Sequence, residues 1–489
     1  MPPLHPDAAY LALQTRDARF DGRLFVGVTS TGIYCRPVCR VRVPKRENCR
    51  FFANAASAER DGFRPCLRCR PELAPGLSLT DSSHALAAAA ARLLDNALRA
   101  GEPVALPGIA AQLGITDRHL RRIFADAHGV SPIDYLATHR LLLAKQLLTD
   151  TPLPVTEVAL ASGFSSLRRF NAAFAERYRL SPSQLRRERP AGAASAEAGD
   201  GLNLRLSYRP PYDIAGVVRF FAQRQLSGVE VVDGLELRRT LGLVQAGALH
   251  RGWFSARFVP ERHELALRIA PSLTPVLGQV LQRVRQGFDL DADPALIDAA
   301  LAASLHVPAE PGLRVPNGFD GFETAVRVIL GQQITVAAAR TLAHRLIERF
   351  GEPAATPFAD LTRHFPTAQA LAEAAPDTIG QLGIVRQRVR ALQALAQAVH
   401  EGRIALHRGA PLQATLDALL ALPGIGEWSA QLIAMRALAW PDAFPASDIG
   451  LLNALGTRDL RQVQAGAEAW RPWRAYAVIR LWQTLETPT

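Results

Sequence analysis

A chain of 489 residues is too long for one hydrophobic core and predicts three or four domains. Apolar residues make up 48% of it, but none of their runs reaches bilayer length: the alanine-rich stretch 85–91 is ended at once by Arg92. With no export segment evident, the chain reads as cytoplasmic, monomeric and without a membrane partner. Its net charge of +11 comes almost wholly from arginine, the only lysines being Lys45 and Lys145, and favours a polyanionic partner.

All five cysteines lie in the first 69 residues. Four form two close pairs, Cys35-x3-Cys39 and Cys66-x2-Cys69, with Cys49 between them. Two short turns, each bringing two thiolates to one metal edge, suit tetrahedral zinc. Such a site can be purely structural, or one of its thiolates can be a nucleophile. A lone thiol such as Cys49 reads as a small apolar filler. This loop-rich unit spans 1–80.

Residues 84–188 carry apolar positions at helical spacing and contain a repeat. Leu120, Phe124 and Ser131-Pro132 recur fifty positions later as Phe170, Phe174 and Ser181-Pro182. Gly114 answers to Gly163, one position out of step. Each copy reads as a short helix, a turn at glycine, and a second helix capped by Thr116 in the first copy and Ser165 in the second. The second helices carry Arg118, Arg121 and Arg122, and Arg168 and Arg169, on their outer faces. A capped, arginine-faced helix after a glycine turn fits the major groove, although a plain helical bundle with solvated arginines has the same pattern.

The small-residue stretch 189–201 reads as a linker. From Leu202 the apolar period becomes two, through Leu204, Leu206 and Tyr208 and again at Leu265, Leu267 and Ile269. A mixed sheet-and-helix unit over 202–312 follows. Residues 313–489 return to helical periodicity. There Leu422-Pro-Gly-Ile-Gly426 predicts a hairpin between two helices whose outward N–H groups cradle a DNA phosphate, with a monovalent cation as a candidate companion. Gly424 and Gly426 are its contact residues. Asp448 lies twenty-two residues beyond Gly426 and, following Ser447, could equally be a helix cap.

These segments carry three family resemblances. Phe25-Val-Gly-Val-Thr-Ser-Thr-Gly-Ile-Tyr-Cys35-Arg-Pro-Val-Cys39 and Gly62-Phe-Arg-Pro-Cys66-Leu-Arg-Cys69 resemble the N-terminal zinc domain of the Ada DNA-repair family. The resemblance implies that Cys35 accepts methyl from a DNA methylphosphotriester, with Cys39, Cys66 and Cys69 as the other zinc ligands. The tandem repeat resembles the AraC-type DNA-binding domain, which implies two recognition helices in adjacent major grooves and RNA polymerase as a partner of the activator.

Over 202–485 the chain resembles AlkA, the 3-methyladenine DNA glycosylase II family. Leu206-Ser-Tyr-Arg-Pro-Pro-Tyr-Asp213, Phe322-Glu-Thr-Ala-Val-Arg-Val-Ile-Leu-Gly-Gln332 and Arg471-Pro-Trp-Arg-Ala-Tyr-Ala477 carry the likeness, together with the hairpin-to-Asp448 spacing of the helix-hairpin-helix superfamily. It implies a TATA-binding-protein-like α+β domain before an all-α domain, Asp448 as catalytic carboxylate, and Trp428, Trp482 and Tyr476 around the flipped base, although each tryptophan alone could be core. It also implies a DNA wedge where this chain has Gln333, and a pocket aromatic where it has Leu432. No lysine follows Lys145, so a Schiff-base lyase is not expected, and the lack of cysteine there excludes an iron–sulfur cluster.

The expected fold is multidomain and mainly α. The expected function is alkylation repair and response on double-stranded DNA of a bacterial nucleoid, joining a monofunctional glycosylase for alkylated purines to a methyl-activated regulator. The alternative is a transcription activator whose glycosylase half only binds DNA.

Overall fold

The computed structural model describes residues 6–486 apart from 17–19, 21–23, 40, 53–54, 70, 72–82, 84–85, 92, 96–104, 152, 188–200, 246, 303 and 308–309. The expected linker 189–201 lies, except for Gly201, outside the described residues. Contacts divide the chain into two units: 1–95 with 104–137, and 96–103 with 138–489.

In the first unit, α1 (Pro6–Gln14) and α2 (Ala55–Arg60) flank a four-stranded sheet. Its strands β1 (Phe25–Val28), β2 (Ile33–Cys35), β3 (Cys49–Phe52) and β4 (Arg64–Pro65) lie in the order β3-β1-β2-β4. The β2–β4 pair is parallel and sets Tyr34 opposite Pro65, which brings the next residues of both strands, Cys35 and Cys66, side by side. Cys49 faces away into a cluster with Ala9, Leu13 and Val26.

The first helix-turn-helix follows. Helix α3 (Leu106–Gln112) ends before Gly114, whose φ of 66° is the left-handed turn that glycine permits. Helix α4 (Asp117–His128) is capped by the Thr116 hydroxyl, which accepts from His119 N at 3.2 Å. Leu120 and Phe124 bury against Leu94, Leu106 and Ile109. Helix α5 (Pro132–Asp150) runs from the first unit into the second.

The second copy, α6 (Val155–Ala161) and α7 (Leu167–Tyr178), turns at Gly163 with φ of 80°. Its cap is Ser166, accepting from Arg169 N at 3.2 Å, not the expected Ser165. Ser166 stands fifty positions after Thr116, in step with Leu120 and Phe170, whereas counting from the out-of-step glycine misplaces the cap by one. Phe170 and Phe174 share one apolar core with the sheet that follows, and Gln146 Nε2 donates to Arg205 O at 2.9 Å.

That sheet has the order β5-β9-β8-β7-β6, all antiparallel, from β5 (Leu202–Ser207), β6 (Glu230–Asp233), β7 (Glu236–Gln245), β8 (Ala248–Val259) and β9 (Glu264–Ile269). The alternating leucines of β5 and β9 bury on one face, as their period of two dictates. Helix α8 (Ile214–Arg224) is capped by Asp213, which accepts from Gly216 N. The helical part of this unit contains α9 (Gly321–Leu330), α10 (Val336–Phe350), α11 (Leu412–Leu420), α12 (Glu427–Arg436), α13 (Ile449–Leu455) and α14 (Arg474–Glu486).

A buried ionic cluster joins sheet to helices. Arg239 on β7 bonds Glu230 of β6 through Nη1 at 2.8 Å and Glu323 of α9 through Nη2 at 2.6 Å. Arg327, one turn further along α9, adds a bond to Glu323 at 3.0 Å. Arg239 and both carboxylates are at most 4% exposed, so each charge depends on its partners. Replacing Arg239 by methionine would take the hydrogen-bonded cation from Glu230 and leave Glu323 with Arg327 alone. We expect Arg239→Met to destabilise the C-terminal unit by about 3–5 kcal/mol in urea titrations, and added Glu230→Gln and Glu323→Gln to recover much of that loss.

Candidate active site and metal centre

The four paired cysteines converge as the strand register requires. Their Sγ atoms all lie within 4.8 Å of one another, and all four side chains are buried. Cys39 follows a turn closed by its N–H on Arg36 O, Cys66 N donates to Tyr34 O, and Arg36 N points at Cys69 Sγ at 3.5 Å. Tetrahedral zinc with bonds of about 2.3 Å needs sulfurs roughly 3.8 Å apart, which this cluster accommodates.

The chemistry of the donor set tells the same story. The hydrogen bond between Cys35 and Cys39 pushes the Cys35 thiol up and draws Cys39 down. Only a bound cation makes four thiolates compatible at this spacing. The cluster therefore fits zinc. Burial does not single out Cys35, at 5% exposed against 6% for Cys66.

The second site is a cleft of about 1180 Å³ in the C-terminal unit. Asp448 stands at the N-cap of α13 and is both cap and cleft carboxylate. Its Oδ1 accepts from Leu451 N and from Trp482 Nε1, each at 2.9 Å, and its Oδ2 accepts from Trp428 Nε1 at 2.9 Å. Among the described residues no cation is paired with it. Trp428 opens α12 and Trp482 lies on α14, so three helices meet at one carboxylate. Gly450 lies beside this contact: a Cβ there would lie 3.2 Å from Asp448 Oδ1 and 3.3 Å from the Trp482 ring, close enough that a neighbour would have to give way slightly.

Tyr476 stands apart from Trp428 and Trp482 in its surroundings. It is buried outside the cleft lining and donates its hydroxyl to Asp289 Oδ2 at 2.7 Å. Six residues separate it from Trp482 on α14, which turns the two side chains to different faces of the helix. Burial pushes the Asp289 carboxyl up to about 6 despite that hydrogen bond. Leu432, by contrast, lines the cleft as an apolar wall.

The hairpin between α11 and α12 places Gly424 at φ of 78° and leaves Gly426 exposed at the N-cap of α12, where first-turn N–H groups lack helical acceptors. Gln332 ties this hairpin to the α9–α10 loop: its Nε2 donates to Gly424 O and to Ser429 Oγ, both at 2.9 Å, while its carbonyl accepts from Arg388. With Gln332 pinned, Gln333 is exposed on the cleft rim in a left-handed conformation, φ of 55°. The arginines of the two turn motifs are surface groups. Arg118, Arg122, Arg168 and Arg169 are exposed, and Arg121 pairs with Asp117 at 2.9 Å.

Sequence reasoning missed Gly450, Gln332 and Arg436. Arg436 lines the cleft two turns beyond Trp428, rests on the Phe220 ring at 4.4 Å, and has an enclosed Nε without a hydrogen-bond partner. Burial, and then Arg224 and Arg327, push its pKa well below the ordinary value.

Four families match consecutive stretches of the chain. They are the metal binding domain of Ada over 8–72, a helix-turn-helix domain over 109–188, the AlkA N-terminal domain over 203–320, and the HhH-GPD superfamily of base excision DNA repair proteins over 326–465. Across 496 aligned residues the chain is 38% identical to the probable bifunctional transcriptional activator/DNA repair enzyme AlkA of Mycobacterium tuberculosis H37Rv, covering 99% of this chain and 98% of that one. It is 34% identical over 283 residues to DNA-3-methyladenine glycosylase 2 of Escherichia coli K12, covering 57% of this chain and 96% of the relative. It is also 36% identical over 163 residues to the bifunctional transcriptional activator/DNA repair enzyme Ada of the same strain, covering 33% and 43%.

The chain belongs to the family of AlkA bifunctional transcriptional activator/DNA repair enzymes. The mainly helical multidomain fold and the Ada-type, helix-turn-helix and AlkA-type resemblances are thereby established. We expect one zinc per chain by elemental analysis, and Cys69→Ala, which removes a fully buried ligand, to lose it.

Proposed function

We propose that this protein repairs alkylated DNA by two chemistries and regulates transcription through one of them. The observation that carries the glycosylase reading is the buried Asp448 carboxylate, held by two indole N–H groups at the wall of a deep cleft. An alkylated purine is already a cationic leaving group. Once flipped from the duplex, it stacks against Trp428 and Trp482. The N-glycosidic bond breaks with its electron pair on the base, which leaves neutral; Asp448 stabilises the oxocarbenium sugar, and water adds to C1′ and gives up a proton to solvent to leave an abasic site. No lysine after Lys145 is present to form a Schiff base, so the reaction ends there.

Gly424 and Gly426 take a DNA phosphate through the hairpin N–H groups, with a monovalent cation as companion, and Gln333 enters the duplex beside the vacated position. Arg118, Arg121, Arg122, Arg168 and Arg169 serve promoter DNA in two adjacent major grooves. The labour divides as 1–80 for methyl acceptance, 84–188 for promoter binding, 189–201 as linker, 202–312 as the sheet domain and 313–489 for excision. No helix among the described residues is long and apolar enough to cross a membrane. We place the protein on the bacterial nucleoid as a monomer that engages RNA polymerase when it activates.

In the N-terminal unit, zinc bound by the four sulfurs supplies the positive charge that keeps them deprotonated at neutral pH. Cys35 Sγ attacks the methyl carbon of a DNA methylphosphotriester. The new S–C bond forms as the C–O bond breaks, and the electron pair returns to the phosphate as a diester anion. The cysteine cluster loses one negative charge, which weakens its repulsion from DNA and couples damage to promoter binding.

Asp448→Asn should lower abasic-site formation on methylated DNA at least about a hundredfold while leaving promoter binding intact. Equal activity in the two proteins would remove Asp448 from the mechanism, and no activity in either would favour a glycosylase half that only binds DNA. Cys35→Ala should accept no methyl label from methylphosphotriester DNA, and label on that variant would assign the acceptor to another thiol.

A further inference from the structure

Gln333 stands on the cleft rim with φ of 55°, a left-handed conformation that a residue with a Cβ adopts at a cost and keeps only where its surroundings impose it. Gln333 is itself exposed, and the constraint comes from the residue before it. Gln332 is held at both its side chain and its main chain. Its Nε2 donates to Gly424 O of the hairpin and to Ser429 Oγ of α12, each at 2.9 Å, and its carbonyl accepts from Arg388 of the helix Arg386–His400. The hairpin packs on that same helix: a Cβ on Gly424 would lie 3.1 Å from Ala391 Cβ.

These bonds lead to the carboxylate. Ser429 is buried and follows Trp428, whose indole donates to Asp448 Oδ2. The side-chain amide of Gln332 therefore joins the strained rim residue to the helix that orients Asp448. An alanine at 332 would take its donor from both Gly424 O and Ser429 Oγ, and would leave the Arg388 bond as the one printed link between this loop's backbone and the neighbouring rim. A left-handed glutamine without that restraint relaxes toward the ordinary backbone regions, which re-aims its side chain.

We propose that Gln332 is a positioning residue: its amide imposes the left-handed turn that presents Gln333, and fixes that turn to the hairpin and to the helix bearing Trp428. Displacing a paired base and receiving it beside Asp448 then use one rigid rim. The contribution of Gln332 scales with the work of taking the base out of the duplex, which is largest for a paired base and least for one already unpaired. The inference rests on the reading above in which Gln333 enters the duplex, and it assigns what holds Gln333 ready.

The test uses full-length protein and two duplexes with a single 7-methylguanine, opposite cytosine in the first and opposite a tetrahydrofuran abasic analogue in the second. In single-turnover excision, Gln332→Ala should slow release from the paired duplex roughly tenfold and from the unpaired one less than about twofold. Gln333→Ala should show the same selective loss. Adding Gln333→Asn to Gln332→Ala should recover part of the paired rate, because asparagine adopts the left-handed conformation more readily than glutamine. A Gln332→Ala protein that matches wild type on both duplexes, or slows both equally, overturns the positioning role even where Gln333→Ala shows the selective loss. A Gln333→Ala protein that matches wild type on the paired duplex overturns the entry of Gln333 into DNA, the reading on which the inference rests.

Discussion

The Asp448 carboxylate is the point on which the C-terminal half is organised. Its two oxygens accept from Leu451 N, Trp428 Nε1 and Trp482 Nε1, so α12, α13 and α14 are joined through one side chain. Each bond serves twice. The Leu451 N–H starts α13, and the two indole bonds set both the direction of the carboxylate and the orientation of the flat rings beside it. Charge-assisted bonds of this kind are short and directional, and they leave the anion little freedom to turn away from the cleft. The same bonds that start α13 aim the carboxylate at the cleft, which explains why a cap and a cleft carboxylate can be one residue.

Other constraints hold the walls around that anion. The Arg239–Glu230–Glu323 cluster fixes α9 to the five-stranded sheet, and α9 runs directly into Gly331-Gln332-Gln333. Gln332 then fastens the loop to the hairpin glycine, so the rim residue Gln333 and the hairpin are set against each other by one amide. In the N-terminal unit the corresponding constraint is the parallel β2–β4 register, which delivers Cys35 and Cys66 to the same point. In both units, paired backbone or buried polar contacts position the candidate site side chains.

What the sequence made legible was local. The cysteine pairs, the glycine turns of the repeat, the period-two leucines of β5 and β9, and the Pro-Gly-Ile-Gly hairpin with its distant aspartate each carry their chemistry within a short window. What it concealed was long-range or a matter of which face a residue occupies. Nothing near Arg239 in sequence foretells Glu323, and nothing near Trp482 foretells that Gly450 packs against it. Tyr476 shares α14 with Trp482, and the sequence alone does not show that its hydroxyl is engaged by the distant Asp289.

The central claim is that a single chain carries a one-time methyl acceptor and a catalytic glycosylase. The most direct measurement is one reaction of the wild-type protein with DNA bearing methylphosphotriesters and methylated purines, in which peptide mass spectrometry locates methyl groups and chromatography counts free bases. We expect no more than one methyl per chain, on Cys35, alongside many alkylated purines released per chain. Methyl on another cysteine, or base release that stops at one per chain, would contradict it.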